Sequence, residues 1–227
     1  IFMFFPFFQK NNLKREIVPV INVKTQQKFE DRLHLLKDFK ETFQIDVSDG
    51  SFTEFKNWHL VKDLKQIKHF RKRFEIHLMI RNVEKELLDW LEIKPKRVIV
   101  HLETIKNFDN LLKICRENQV ELALALNPDT PLSSLKDFIK FLNFVVLLGV
   151  DPGPSGQKFR YFVLDKIKEF RDKYPKINIE LDGGLNEEII VEALKSGANI
   201  FAIGSAIFET ENPKEKIKYF ENLVNKI

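Results

Sequence analysis

A single cysteine, Cys115, occurs among 227 residues, so no disulfide can form within the chain. That usage suits a reducing compartment, and a cytoplasmic location is the expectation. Cys115 closes the stretch Leu111-Leu112-Lys113-Ile114-Cys115 and reads as a small buried hydrophobe, not a nucleophile. Long apolar runs are also missing: nothing approaches the roughly 18 residues of a membrane-spanning helix, so no membrane partner is expected. Neither sign of charge dominates, with 37 Lys and Arg against 33 Asp and Glu. The basic residues recur along predicted helices, as in Lys62, Lys65, Lys68, Arg71 and Lys72, where a solvated face explains them. Phe70 and Phe74 beside them read as core residues, not stacking platforms, so nucleic acid is not an expected partner. Glycine is scarce, at 8 residues, and none forms a turn after the first predicted strand, Ile17-Val18-Pro19-Val20-Ile21. That absence argues against an open, doubly wound dinucleotide fold.

What is present is a regular alternation. β-rich apolar runs begin near Ile17, Phe43, Phe74, Arg97, Glu121, Phe144, Ile177 and Ile200. Amphipathic stretches lie between them, such as Phe29, Leu33, Leu36 and Phe39, or Leu87, Leu88 and Leu91. The last begins at Pro213, a residue suited to a first helical turn. Eight strands alternating with eight helices predict a parallel sheet closed as a (β/α)8 TIM barrel. The opening Ile1-Phe2-Met3-Phe4-Phe5-Pro6-Phe7-Phe8 is apolar but short, broken by Pro6, and lacks the marks of a secretory signal. We therefore expect residues 1–15 to be an extension outside the fold, and residues 16–227 to form one barrel domain.

Side chains alternate along a strand with period two. In the second strand Ile45 and Val47 are predicted to face the helices, leaving Gln44, Asp46 and Ser48 inside the barrel. The same parity puts Glu75, His77 and Met79 inside in the third strand, and His101 and Glu103 in the fourth. In the seventh, Asn178, Glu180 and Asp182 face inward. Buried acids without partners are costly, so polar residues at several carboxyl strand ends point to a functional mouth. Two aspartates on different strands can address one carbon from opposite sides, and Asp46 and Asp182 are the candidate catalytic pair. With His77 they form a candidate metal or acid/base site. Taken alone, His77 is readable as a core histidine, and His101 with Glu103 as a barrel-filling hydrogen-bond pair. Gly153, Gly156, Gly183, Gly184 and Gly204 follow strands six to eight, with Ser155 and Ser205 nearby. Their backbone amides are candidates to cradle a phosphate.

At this point the chain resembles the ribulose-phosphate 3-epimerase family. The resemblance runs from about Ile17 to Phe208, through QIDVSDGSF, IHLMI, VHLE, ALNPDTPL, GVDPGPSGQKF, LDGG and GSAIF in the family's order. It implies a barrel of the ribulose-phosphate-binding type that interconverts D-ribulose 5-phosphate and D-xylulose 5-phosphate through an enediolate. It also implies a divalent metal ion (Zn, Mn, Fe or Mg) held by Asp46, His77 and Asp182, the two aspartates serving as acid and base. The implied phosphate contacts fall on Gly183, Gly184, Gly204 and Ser205, with Gly156 in the strand-six loop, where Pro154 and Ser155 replace Phe and Gly. Gln44 stands where the family has a second histidine ligand. Val20 replaces a serine, and Asn22 on the same strand face is the candidate to supply the lost substrate hydrogen bond. If no cation binds, His77 and Gln44 are left to donate hydrogen bonds to the enediolate.

The expected partner is thus a small sugar phosphate. Two other readings stay open: an epimerase for another ketose phosphate, and a non-catalytic sugar-phosphate-binding barrel with a decayed metal site. A lysine-dependent aldolase fits poorly, since Lys24 is the only lysine near a predicted inward strand end. Phe residues on helices offer a surface for self-association, so a homo-oligomer is also left open.

Overall fold

The computed structural model describes residues 13–57, 64, 67, 70 and 73–227. Eight strands form one closed parallel barrel in chain order. They are β1 (Glu16–Ile21), β2 (Phe43–Ser48), β3 (Phe74–Met79), β4 (Arg97–His101), β5 (Glu121–Leu126), β6 (Phe144–Leu148), β7 (Asn178–Asp182) and β8 (Ile200–Ile203). β8 closes the ring on β1, with Ile17 beside Phe201 and Pro19 beside Ile203. Six strand starts coincide with the sequence reading, and β1 and β7 differ from it by one residue. The described helices are α1 (Gln26–Leu35), α2 (Val83–Leu91), α3 (Phe108–Glu117), α4 (Val163–Lys173), α5 (Glu187–Ser196), α6 (Ser205–Phe208) and α7 (Pro213–Lys226). None is long and apolar enough to cross a membrane.

Local chemistry explains where these helices begin. The side chains of Asn107, Asn186 and Asn212 accept from Asn110, Ile189 and Glu215 backbone amides, capping α3, α5 and α7. Between β5 and β6 the expected α-helix is replaced by two 3-10 turns, Leu132–Leu135 and Ile139–Phe141. Pro128 and Pro131 remove amide donors at the start of that connection. Lys166 on α4 fastens it instead, its ammonium donating to the carbonyls of Asn127, Pro128 and Thr130.

Two apolar layers follow from the strand alternation. Outward residues such as Ile45, Val47, Ile76 and Leu78 join Phe29, Phe170 and Phe220 in the sheath between strands and helices. Each fully buried Phe there contributes about 1.5–3 kcal/mol of apolar transfer. Inside the barrel, Val18, Ile99, Ala123, Ala125, Phe144, Val146, Leu148 and Ile200 pack together. Beside them sits a buried ionic group: Arg97 Nη1 donates to Glu75 Oε2 at 2.6 Å, and Nη2 lies 2.8 Å from Glu121 Oε2. The guanidinium carbon is 3.3 Å from the centroid of the Phe144 ring. Glu180, also fully buried, faces this group electrostatically.

The structure corrects one detail of the fourth strand. β4 ends at His101, and Leu102–Thr104 forms a 3-10 turn in which the Thr104 hydroxyl donates to the His101 carbonyl. Glu103 therefore sits on a turn at the strand end and not on the ladder. The basic set Lys62, Lys65, Lys68, Arg71 and Lys72 lies outside the described residues, as does the stretch from 1 to 12. Lys14 donates to Glu41 and Arg15 to the Val224 carbonyl.

Candidate active site

Asp46 on β2 lies beside His77 on β3 in the strand register. Asp182 ends β7 on another part of the ring. The inward parity brings all three together, each offering one ligand atom within 4.8 Å of the others. Gln44, one inward position below Asp46, reaches into their midst. Its Nε2 donates to Asp46 Oδ1 and to Asp182 Oδ2, both at 2.8 Å, and lies 3.4 Å from His77 Nδ1. One amide group thus tethers the two carboxylates. His77 Nδ1 is 3.2 Å from Asp182 Oδ2 and 3.6 Å from Asp46 Oδ1. Asp182 is the more open of the two acids, its side chain 13% exposed against 8% for Asp46.

The electrostatics follow from this crowding. Burial lowers the affinity of His77 for a proton, but its bonds to Asp182 and Asp46 and their charges outweigh burial and raise its pKa to about 9. Burial pushes the Asp46 carboxyl above its ordinary range; His77 opposes this, and the charge of Asp182 adds to it. Asp46 and His77 thus both hold protons more firmly than they do in water.

Three supporting residues were not among the sequence-derived candidates. Asn57 is buried and donates from Nδ2 to the Asp46 carbonyl at 2.7 Å, while its Oδ1 accepts from the Ser48 amide at 3.0 Å. It locks the end of β2, and the weak match of its segment to any motif concealed it. His101 Nε2 lies 2.9 Å from His77 Nε2, with the two rings stacked at 4.9 Å. Glu103 Oε2 lies 3.5 Å from His101 Nδ1. Sequence parity placed this pair inside the barrel but gave no sign of the contact with His77.

A cavity opens over the cluster, lined by Asp46, His77, Asp182, Val20, Asn22, Met79 and Leu148, and by the loops after β6, β7 and β8. All the glycines and serines proposed for phosphate lie on its wall: Gly153, Ser155, Gly156, Gly183, Gly184, Gly204 and Ser205. Gly183 has φ +99°, and a Cβ there would stand 2.4 Å from Val150 Cγ2, so the close approach of these loops requires glycine. α6 opens at Gly204, and the first amides of a helix have no intrahelical acceptor. Asn22 Nδ2 donates to the Gly153 carbonyl at 3.1 Å, tying β1 to the strand-six loop, while its Oδ1 is buried without a partner among the described residues. Lys24 is exposed and lies over the Phe55 ring, outside the cavity lining.

Comparison with known proteins decides the family. The sequence model described as the Ribulose-phosphate 3 epimerase family matches residues 16–208. The chain belongs to this family. The family's namesake enzyme from Eremothecium gossypii is 31% identical over 199 residues, covering 81% of this chain and 82% of the relative. The ribulose-phosphate 3-epimerase of Candida glabrata is 33% identical over 153 residues, spanning 67% of this chain and 62% of that relative's length. Among solved structures, KGPDC from Streptococcus mutans superposes with a TM-score of 0.71 at 10% identity, covering 94% of this chain and 99% of that one. That last likeness concerns the barrel alone.

Membership in an isomerase family raises the question of its divalent metal, and the donor chemistry here fits one. Asp46, His77 and Asp182 converge as two oxygens and a nitrogen, a set suited to divalent first-row ions and Mg²⁺. Gln44 Oε1 is buried without a partner among the described residues, so rotating the amide about its last bond presents an oxygen to the same point.

Proposed function

We propose that the chain is an epimerase interconverting D-ribulose 5-phosphate and D-xylulose 5-phosphate by proton transfer at C3 between Asp46 and Asp182. The observation that carries this reading is the tethered pair: two carboxylates from β2 and β7, bonded to one amide and open to a glycine-walled cavity. A proton next to a carbonyl is weakly acidic, and its removal needs a base within hydrogen-bond reach and stabilisation of the developing oxyanion. Asp46 and Asp182 act on opposite faces of C3, one removing the proton and the other returning it. Without a cation, their mutual repulsion favours a state in which one is protonated and one is not, which suits a one-acid, one-base exchange. If no cation binds, His77 and Gln44 donate hydrogen bonds to the enediolate oxygens and limit the charge that accumulates there.

The backbone of Gly183, Gly184, Gly204 and Ser205, with Gly153, Ser155 and Gly156 from the strand-six loop, holds the phosphate at the far end of the sugar. Asn22 Oδ1 accepts from a sugar hydroxyl in the role that Val20 cannot fill. Asp46, His77 and Asp182, with Gln44 as a further donor, would hold a divalent ion, which when bound would supply Lewis-acid polarisation of the substrate oxygens. The test is incubation with ribulose 5-phosphate, as purified, after chelation, and with Zn²⁺, Mn²⁺ or Mg²⁺ restored. The expected result is xylulose 5-phosphate with solvent deuterium at C3. Binding of the sugar phosphate without turnover under every metal condition would make the barrel a binding protein instead.

A further inference from the structure

Beside the reaction centre, at the carboxyl end of β4, a line of polar groups runs from the buried His77 and His101 to Glu103, whose side chain is 21% exposed. The two imidazoles meet through Nε2 atoms 2.9 Å apart, so one must donate and the other accept. Which does so is decided at the far end. His101 Nδ1 is fully buried and makes no direct hydrogen bond among the described residues; the nearest charge is Glu103 Oε2 at 3.5 Å, and the Asn127 side-chain oxygen is likewise buried without a partner there. Glu103 is fixed through its other oxygen, which accepts from the Asn127 amide at 2.9 Å and from the Thr130 hydroxyl. Burial raises the Glu103 pKa, but neighbouring His101 and then these two bonds outweigh it and hold the carboxyl anionic, with a pKa of about 2. A bare Nδ1 on His101 would set a lone pair against that carboxylate; a protonated Nδ1 turns an N–H toward it instead.

With its proton on Nδ1, neutral His101 presents a lone pair at Nε2. His77 must then donate from its own Nε2. The consequence reaches the reaction centre, because His77 Nδ1 is the nitrogen between Asp46 and Asp182. We propose that Glu103 and His101 are positioning residues that hold a proton on His77 Nε2 and so leave Nδ1 as the ring nitrogen turned toward Asp46 and Asp182. In the metal-free state Nδ1–H faces the two carboxylates. Sequence-remote groups that fix ligand tautomers in this way tune affinity about 10–100-fold when removed.

The inference rests on the reading of Asp46, His77 and Asp182 as the reaction centre, and its test needs no sugar phosphate. Long-range ¹H–¹⁵N correlation of the ¹⁵N-labelled full chain reports the tautomer of each imidazole, and the chain has only 5 histidines to assign. The expected spectrum shows His101 protonated at Nδ1 and bare at Nε2. A His101 that carries its proton on Nε2 overturns the proposal whatever the enzyme turns over. Glu103→Gln then probes cause: the amide keeps a side chain of the same shape but removes the charge that selects the tautomer. We expect a mixed His101 population and Zn²⁺ affinity, by calorimetry, about tenfold weaker than wild type. An unchanged tautomer in that variant refutes the role of Glu103, and if the variant does not fold, the wild-type spectrum alone decides. Loss of epimerase activity on every substrate, with these spectra as expected, would sink the functional reading and leave the relay standing.

Discussion

Glu180→Gln tests whether the barrel interior stores a proton. Glu180 is fully buried, and neither of its oxygens, nor Glu75 Oε1, has a hydrogen-bond donor among the described side chains when both carboxyls are ionised. A proton on Glu180 supplies the missing donor to Glu75. Burial pushes the Glu180 carboxyl well above its ordinary range, the charges of Glu75 and Asp182 add to this, and Arg97 opposes it. The sign of the stability effect follows. Below the unfolded value of about 4.5 both states are protonated and nothing is gained or lost. Above it the unfolded glutamate ionises while the folded one keeps its proton, so folding takes up a proton and stability falls by about 1.4 kcal/mol per pH unit. That loss continues until the folded carboxyl itself ionises.

In the Glu180→Gln variant the new side-chain amide donates to Glu75 at every pH and removes this dependence. The difference in unfolding free energy, variant minus wild type, should therefore climb by about 1.4 kcal/mol per unit above a pH of about 4.5. Urea denaturation of both proteins at about pH 5, 6 and 7 measures it, and other titrating groups largely cancel in the difference. For a chain of this size the same slope appears as about 3–6 °C in relative Tm per unit. Curves that stay parallel across the range would show that Glu180 is already ionised in the folded barrel, and the argument would fail.

Two further outcomes follow from the site. Asn57→Ala leaves the Asp46 carbonyl and the Ser48 amide buried without their partner, which should cost about 2–4 kcal/mol in denaturant unfolding and lower kcat. Gly183→Ala forces a side chain into a left-handed backbone (φ +99°) against Val150, adding at least about 1–2 kcal/mol of strain and raising KM for a sugar phosphate in steady-state assays.

Much of this architecture was legible from residue order, for a physical reason: a strand buried between helices and a packed interior must alternate strictly. Ile45 and Val47 could not face outward without turning Gln44 and Asp46 inward, and the same parity aimed His77 and Asp182. Loop chemistry was readable where glycine was obligatory, as at Gly183. The contacts between strands were not. His101 reaches His77 because the stagger of a closed barrel sets it beside a residue 24 positions earlier. Glu103 was misplaced on the strand because the Thr104 hydroxyl, by bonding the His101 carbonyl, turns the chain off the ladder. Gln44 illustrates a different limit: an amide can donate or accept, and its neighbours, not its identity, decide that Nε2 bridges both acids. Asn57 escaped notice because its work is on backbone groups of another segment.

The claim on which the account turns is that two acids share one carbon. Asp46→Asn and Asp182→Asn should each be assayed for net conversion and, separately, for exchange of the C3 hydrogen from each epimer in deuterated water. Each variant should lose about 10²–10⁴-fold in conversion, and the exchange that survives should differ between the epimers in opposite senses for the two variants. Either variant converting ribulose 5-phosphate near the wild-type rate, or both losing the same epimer's exchange, would contradict a two-faced pair.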